Sequence, residues 1–143
     1  MNRLWGLSLS LMLLIAGCST SELPLRMKAS QIEVYSLFND RSKEQLLTIT
    51  DAATIGNIIT ELNSLHKTSF EDPESPGNLY EIHFIRSNER KIFVLADKGE
   101  FKSKIYTNKS AENGDVWTAK TKLIEWLLGD KRRPYPNNPS TGS

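Results

Sequence analysis

From residue 31 to 38 apolar and polar positions alternate, with Ile32, Val34 and Phe38 on one side and Glu33, Tyr35 and Leu37 on the other. A two-residue repeat is the pattern of a strand with one face against a core. Asn39-Asp40-Arg41-Ser42 turns the chain, and 45–49 returns it as a second, shorter strand. The spacing then changes. Behind Thr50 or Asp51, either of which can cap a helix, Ile55, Ile58, Ile59, Leu62 and Leu65 recur every three or four residues, which predicts an amphipathic helix. Gly56 weakens that helix by about 1 kcal/mol relative to alanine, less than the apolar stripe contributes.

Glu71-Asp72-Pro73-Glu74-Ser75-Pro76-Gly77 is a loop by composition. After it come three predicted strands. The first covers 79–86, with Tyr80, Ile82 and Phe84 opposite Glu81, His83 and Arg86; the second covers 91–96, with Ile92 and Val94 facing the core. The third covers 100–107 and carries Phe101, Ile105 and Tyr106. Turns as short as Ser87-Asn88-Glu89 and Asp97-Lys98-Gly99 make these strands antiparallel neighbours. Asn113-Gly114-Asp115 closes that section, and Val116, Ala119, Leu123, Ile124, Leu127 and Leu128 predict a second helix ending at Gly129. The order ββαβββα predicts an α+β fold: an antiparallel sheet of about five strands with two amphipathic helices on one face. Its expected core is Ile32, Val34, Phe38, Ile55, Ile58, Ile59, Leu62, Tyr80, Ile82, Phe84, Ile92, Val94, Leu123, Ile124 and Leu127.

The first seventeen residues obey another rule. Arg3 precedes an apolar run at 4–15, too short for the roughly 20 residues a membrane-spanning helix needs. It ends in Ile15-Ala16-Gly17-Cys18, and Cys18 is the sole cysteine of the chain. This tetrapeptide resembles the lipobox of bacterial lipoprotein precursors. The resemblance implies cleavage before Cys18, a diacylglyceryl thioether on its sulfur, and a mature protein held on the extracytoplasmic face of the cell membrane, with Ser19 compatible with outer-membrane sorting where the host has one. The layout of 31–128 is also similar to small lipoproteins of Gram-positive bacteria, through Ile49-Thr50-Asp51, Pro76-Gly77 and Tyr80. The expected organisation is a signal peptide at 1–17, a lipidated cysteine and flexible tether at 18–30, one domain at 31–130, and a disordered tail at 131–143 with three prolines.

Charge narrows the function classes. The chain has 18 basic and 17 acidic residues, and loss of Arg3 with the leader leaves the signs equal. No global basic field exists to hold nucleic acid. Cofactor and metal are not expected: two histidines, His66 and His83, stand apart in sequence, and the only thiol is assigned to lipid. Glu71, Asp72 and Glu74 lack the alternating ligands and glycine of a calcium loop. No serine sits in a Gly-x-Ser-x-Gly turn, and no glycine-rich loop follows a strand.

These residues point to a non-catalytic envelope protein, an interaction or accessory module with a protein partner and a lipid bilayer contact through Cys18. A second expectation is a binder of a small ligand or anionic wall polymer through Lys102, Lys104 and Tyr106 on the last strand, where lysines also serve to block edge pairing. A hydrolase built on the Glu71–Glu74 loop ranks last. Lys131-Arg132-Arg133 offers charge for an anionic surface at the end of the second helix.

Overall fold

The computed structural model describes residues 23–38, 42–68, 77–99, 103–107 and 115–134. The leader, Cys18, Lys102, most of the 71–77 loop and the tail from 135 lie outside them. The fold is α+β, with a seven-stranded antiparallel sheet. Its strands are β1 (Gln31–Leu37), β2 (Lys43–Ile49), β3 (Lys67–Thr68), β4 (Asn78–Arg86), β5 (Glu89–Asp97), β6 (Lys104–Thr107) and β7 (Val116–Thr118), in the spatial order β2-β1-β4-β5-β6-β7-β3. The helices are α1 (Ala52–Asn63) and α2 (Thr121–Leu128).

Asp51 caps α1, its Oδ2 accepting from the Thr54 backbone N–H at 2.8 Å and the Thr54 hydroxyl at 2.7 Å. Ile55, Ile58 and Leu62 turn inward and meet Leu123, Ile124 and Leu127 of α2 over the sheet residues Ile32, Val34, Tyr80, Ile82 and Phe84. Phe84 and Phe93 meet edge to face at 5.7 Å.

Several expectations change. Phe93 and Leu95, not Ile92 and Val94, enter the core, and the latter pair lies half-buried on the opposite face. Both sets of β5 are apolar, so alternation alone does not choose between them. Pairing does: Phe93 sits beside Ile82 and Leu95 beside Tyr80, whose side is already set by β4. Phe38 falls one residue beyond β1 and is 39% exposed, its ring covered by the Arg133 guanidinium at 4.3 Å. The second helix starts later than Val116. Val116-Trp117-Thr118 is a strand between β6 and β3, and β3 itself is a two-residue pairing that periodicity cannot register.

The two ends of the domain also move. Leu23, Leu25 and Met27 are buried in the core, and Leu25 exchanges hydrogen bonds with the Asn63 side chain, so the chain is packed from residue 23 rather than loose to 30. At the other end, Arg132 and Arg133 are tied to the sheet. The Arg133 backbone N–H donates to the Tyr80 hydroxyl at 3.0 Å, and its carbonyl accepts from Asn78 Nδ2 at 3.3 Å. Attachment therefore persists past Lys131.

Candidate interaction surface

The pleat of a strand sends alternate side chains to opposite faces. Since Ile32, Val34 and Ser36 face the helices, Gln31, Glu33, Tyr35 and Leu37 face away. Register carries this pattern across the sheet in rows. Glu33 aligns with His83 and Ile92; Tyr35 aligns with Glu81, Val94, Tyr106 and Val116; Leu37 aligns with Leu79, Ala96, Lys104 and Thr118. The helix-free face thus gathers polar side chains at Glu33, Tyr35, Glu81 and His83 on β1 and β4, and Ile92, Val94, Tyr106 and Val116 on β5 to β7, with Lys104 and Thr118 at one end.

The polar half is one connected network. Glu33 accepts from Gln31 Nε2 at 2.8 Å and from the Tyr35 hydroxyl at 2.7 Å. Arg90 reaches both Glu33, at 3.7 Å, and His83 Nδ1, at 3.2 Å. His83 Nε2 lies 2.8 Å from Glu81 Oε2, and Lys43 Nζ lies 3.1 Å from that same oxygen. A guanidinium can only donate, so His83 Nδ1 accepts and Nε2 carries the hydrogen given to Glu81. The Tyr35 and His83 rings stand 4.7 Å apart, and Lys43 Nζ sits 5.1 Å above the Tyr35 ring. His83 is on the face opposite Tyr80, Ile82 and Phe84, as alternation predicts, yet only 2% of it is exposed. Neighbouring side chains close over it, which alternation along one strand does not reveal.

The network holds its members in fixed states. Burial works against the Glu81 carboxylate, but hydrogen bonds from His83 and Lys43 outweigh it and keep the group below its ordinary range. The bond to Glu33, then burial, raises the Tyr35 hydroxyl above its ordinary value. Each carboxylate faces a cation, and the Tyr35 hydroxyl proton is already committed to Glu33. Such an array can present fixed donors and charges to a partner.

Lys104 and Tyr106 lie on this same face. Lys104 Nζ donates to Thr118 Oγ1 at 3.2 Å, and burial raises the Tyr106 hydroxyl. The structure brings these two together beside Val94 and Val116, while Lys102 lies outside the described residues. The sequence reading missed Glu33, Tyr35, Lys43 and Arg90 as partners of Glu81 and His83. Polar residues at every second position of β1 and β4 are the signal that could have joined them.

A second constellation lies at the far end of β5. Asp97 is fully buried and accepts from Arg132 Nε at 2.7 Å, Arg132 Nη2 at 2.9 Å, the Ser103 hydroxyl at 3.0 Å and the Gly99 backbone N–H at 3.1 Å. Burial opposes its charge, but these donors hold its carboxyl below the usual range. Among the described residues no group of three or more His, Cys, Asp or Glu side chains is arranged to hold a metal ion, and no helix is long and apolar enough to cross a membrane. No family model, curated protein or solved structure matches this chain.

Proposed function

We propose that this protein is a lipid-anchored extracytoplasmic lipoprotein whose single domain acts without catalysis, as an interaction or accessory module of the cell envelope. The observation that carries the reading is the sole cysteine standing directly after Ile15-Ala16-Gly17 behind a short apolar run. Two acyl chains on Cys18 suffice for stable attachment. The helix-free sheet face supports the second half of the reading. It sets half-buried Ile92, Val94 and Tyr106 beside a network of paired charges, a mixture of apolar area and polar rim that suits a protein partner.

Mass spectrometry of the protein extracted from membranes tests the anchor: a diacylglyceryl adduct on Cys18 is expected, and an unmodified thiol on the mature chain overturns it. Cys18→Ser should leave an unprocessed precursor. Photocrosslinking from position 94 or 106 in intact cells should yield a discrete adduct, while the same probe at exposed Asn57 on α1 should yield none. Equal yields from both faces reject the sheet as the docking side.

A further inference from the structure

We propose that the end of the domain formed by the close of α1 and the start of α2 is a second membrane contact, a basic surface that lies against anionic phospholipid headgroups. This rests on the lipid-anchor reading and adds an orientation to it.

Three observations converge. The anchor enters at this end: Leu25 is pinned to Asn63, the last residue of α1, and Leu23 is buried two residues before it. Only four residues separate Cys18 from Leu23, five Cα–Cα steps with a reach of about 18 Å at full extension. The domain therefore cannot stand far from the bilayer, and the end carrying Leu23 must be the near one.

The near end is also where positive charge collects. Arg26 and Lys28 are exposed on the segment that leaves this end, running from Leu25 at Asn63 to Ser30 at the Ile85 carbonyl. Lys120 Nζ reaches Ser64 Oγ at 3.0 Å and Lys122 Nζ reaches Glu61 at 3.0 Å, which brings the start of α2 alongside the end of α1. Glu61 is offset by Lys122, and Asp115 by its ion pair with Lys67. Arg26, Lys28 and Lys120 have no ion pair among the described residues, so the described residues at and leading into this end carry three cations without a paired carboxylate. The C-terminal end of α1 and the N-terminal end of α2 meet here, so dipole ends of opposite sign offset each other and side chains set the charge. At the opposite end Lys131 lies 3.8 Å from Asp130 and Arg132 pairs with Asp97, so the charges there are largely offset.

Charges within a Debye length of a negative leaflet are attracted to it, and those farther off are screened. A basic end tethered this closely becomes the second of two membrane signals.

The experiment uses the full-length protein purified from membranes, its Cys18 acylation first established by mass spectrometry. It is reconstituted in vesicles of phosphatidylcholine alone, or with about one-third phosphatidylglycerol to supply the anionic field. Backbone hydrogen exchange should slow over 61–67 and 118–122 in the anionic vesicles only, and high salt should abolish the difference. The triple variant Arg26→Gln, Lys28→Gln, Lys120→Gln should lose it too, whereas Lys131→Gln at the far end of α2 should keep it. All four positions are exposed, and an unchanged thermal midpoint will show that each variant is folded. Equal exchange in both lipids, or equal loss in the Lys131→Gln control, overturns the proposal. If Cys18 proves unacylated, the anchor reading fails alone. The basic surface is then tested by cosedimentation of the same chain: preference for anionic vesicles supports it and indifference rejects it.

Discussion

Arg132 meets Asp97 with two parallel hydrogen bonds, Nε to Oδ2 at 2.7 Å and Nη2 to Oδ1 at 2.9 Å, across 35 residues of sequence. The carboxylate is fully buried and the guanidinium mostly so. The pair fastens the segment after α2 to the end of β5, and the Arg133 contacts to Tyr80 and Asn78 extend the seam.

Removing one partner of a buried ion pair strands the other charge, so Asp97→Asn should cost about 3–5 kcal/mol in urea unfolding. The pH dependence has a definite sign. Asp97 has a folded pKa below its unfolded value, so its contribution is complete above about pH 4 and fades as pH falls through the folded value. Wild type should lose stability on that acid limb, and Asp97→Asn should show a shallower one. An unchanged limb would mean that other carboxylates govern acid unfolding.

Glycine substitutions should separate by position. Gly77 has φ +71, and a Cβ there would stand 2.5 Å from the Asp97 carbonyl oxygen where β4 and β5 begin to pair. Gly77→Ala should destabilise by at least about 1 kcal/mol. Gly56 lies inside α1 on its exposed side, with nothing within 4 Å of an added Cβ. Gly56→Ala should stabilise by about 1 kcal/mol. Thermal midpoints of the two variants should move in opposite directions.

The stripe of α1 makes a third test. Ile58 is fully buried, and Ile58→Ala should cost about 2–5 kcal/mol. Its exposed neighbour gives the control, with Asn57→Ala changing stability by no more than about 0.5 kcal/mol. A reversed order in chemical denaturation would mean the helix presents its other side.

What could be read from the chain alone follows from how each element buries itself. β1 and β4 alternate cleanly because one side faces the helices and the other is polar, so Ile32, Val34, Tyr80, Ile82 and Phe84 were assignable. β5 carries apolar side chains on both sides, and only its pairing with β4 decides that Phe93 and Leu95 go inward. Val116-Trp117-Thr118 fits a helical stripe in spacing, but its β-branched and aromatic residues find strand partners on both flanks. Leu23, Leu25 and Met27 alternate with Pro24, Arg26 and Lys28 as a strand would, yet they are buried by contact with α1 rather than by a sheet ladder. The polar network was illegible for a related reason: its members come from β1, β2, β4 and β5, and register rather than sequence spacing joins them.

Within that network Glu81 Oε2 accepts from a buried donor and an exposed one, and the two should not count equally. His83 is 2% exposed and has no water to replace a lost acceptor, while the Lys43 side chain is 48% exposed. Glu81→Ala leaves the buried His83 N–H without its partner and should cost about 1–3 kcal/mol. Lys43→Ala removes a surface ion pair and should cost no more than about 1 kcal/mol. The sign of the pH effect follows from Glu81 having its pKa lowered on folding: its contribution is present above the ordinary carboxylate range and lost as pH falls through the folded value. A double-mutant cycle pairing Glu81→Ala with Lys43→Ala, read by urea unfolding near neutral pH, should therefore give a coupling energy smaller than the Glu81→Ala cost alone. A coupling that accounts for the whole cost would make Lys43, not His83, the residue that holds Glu81 in place.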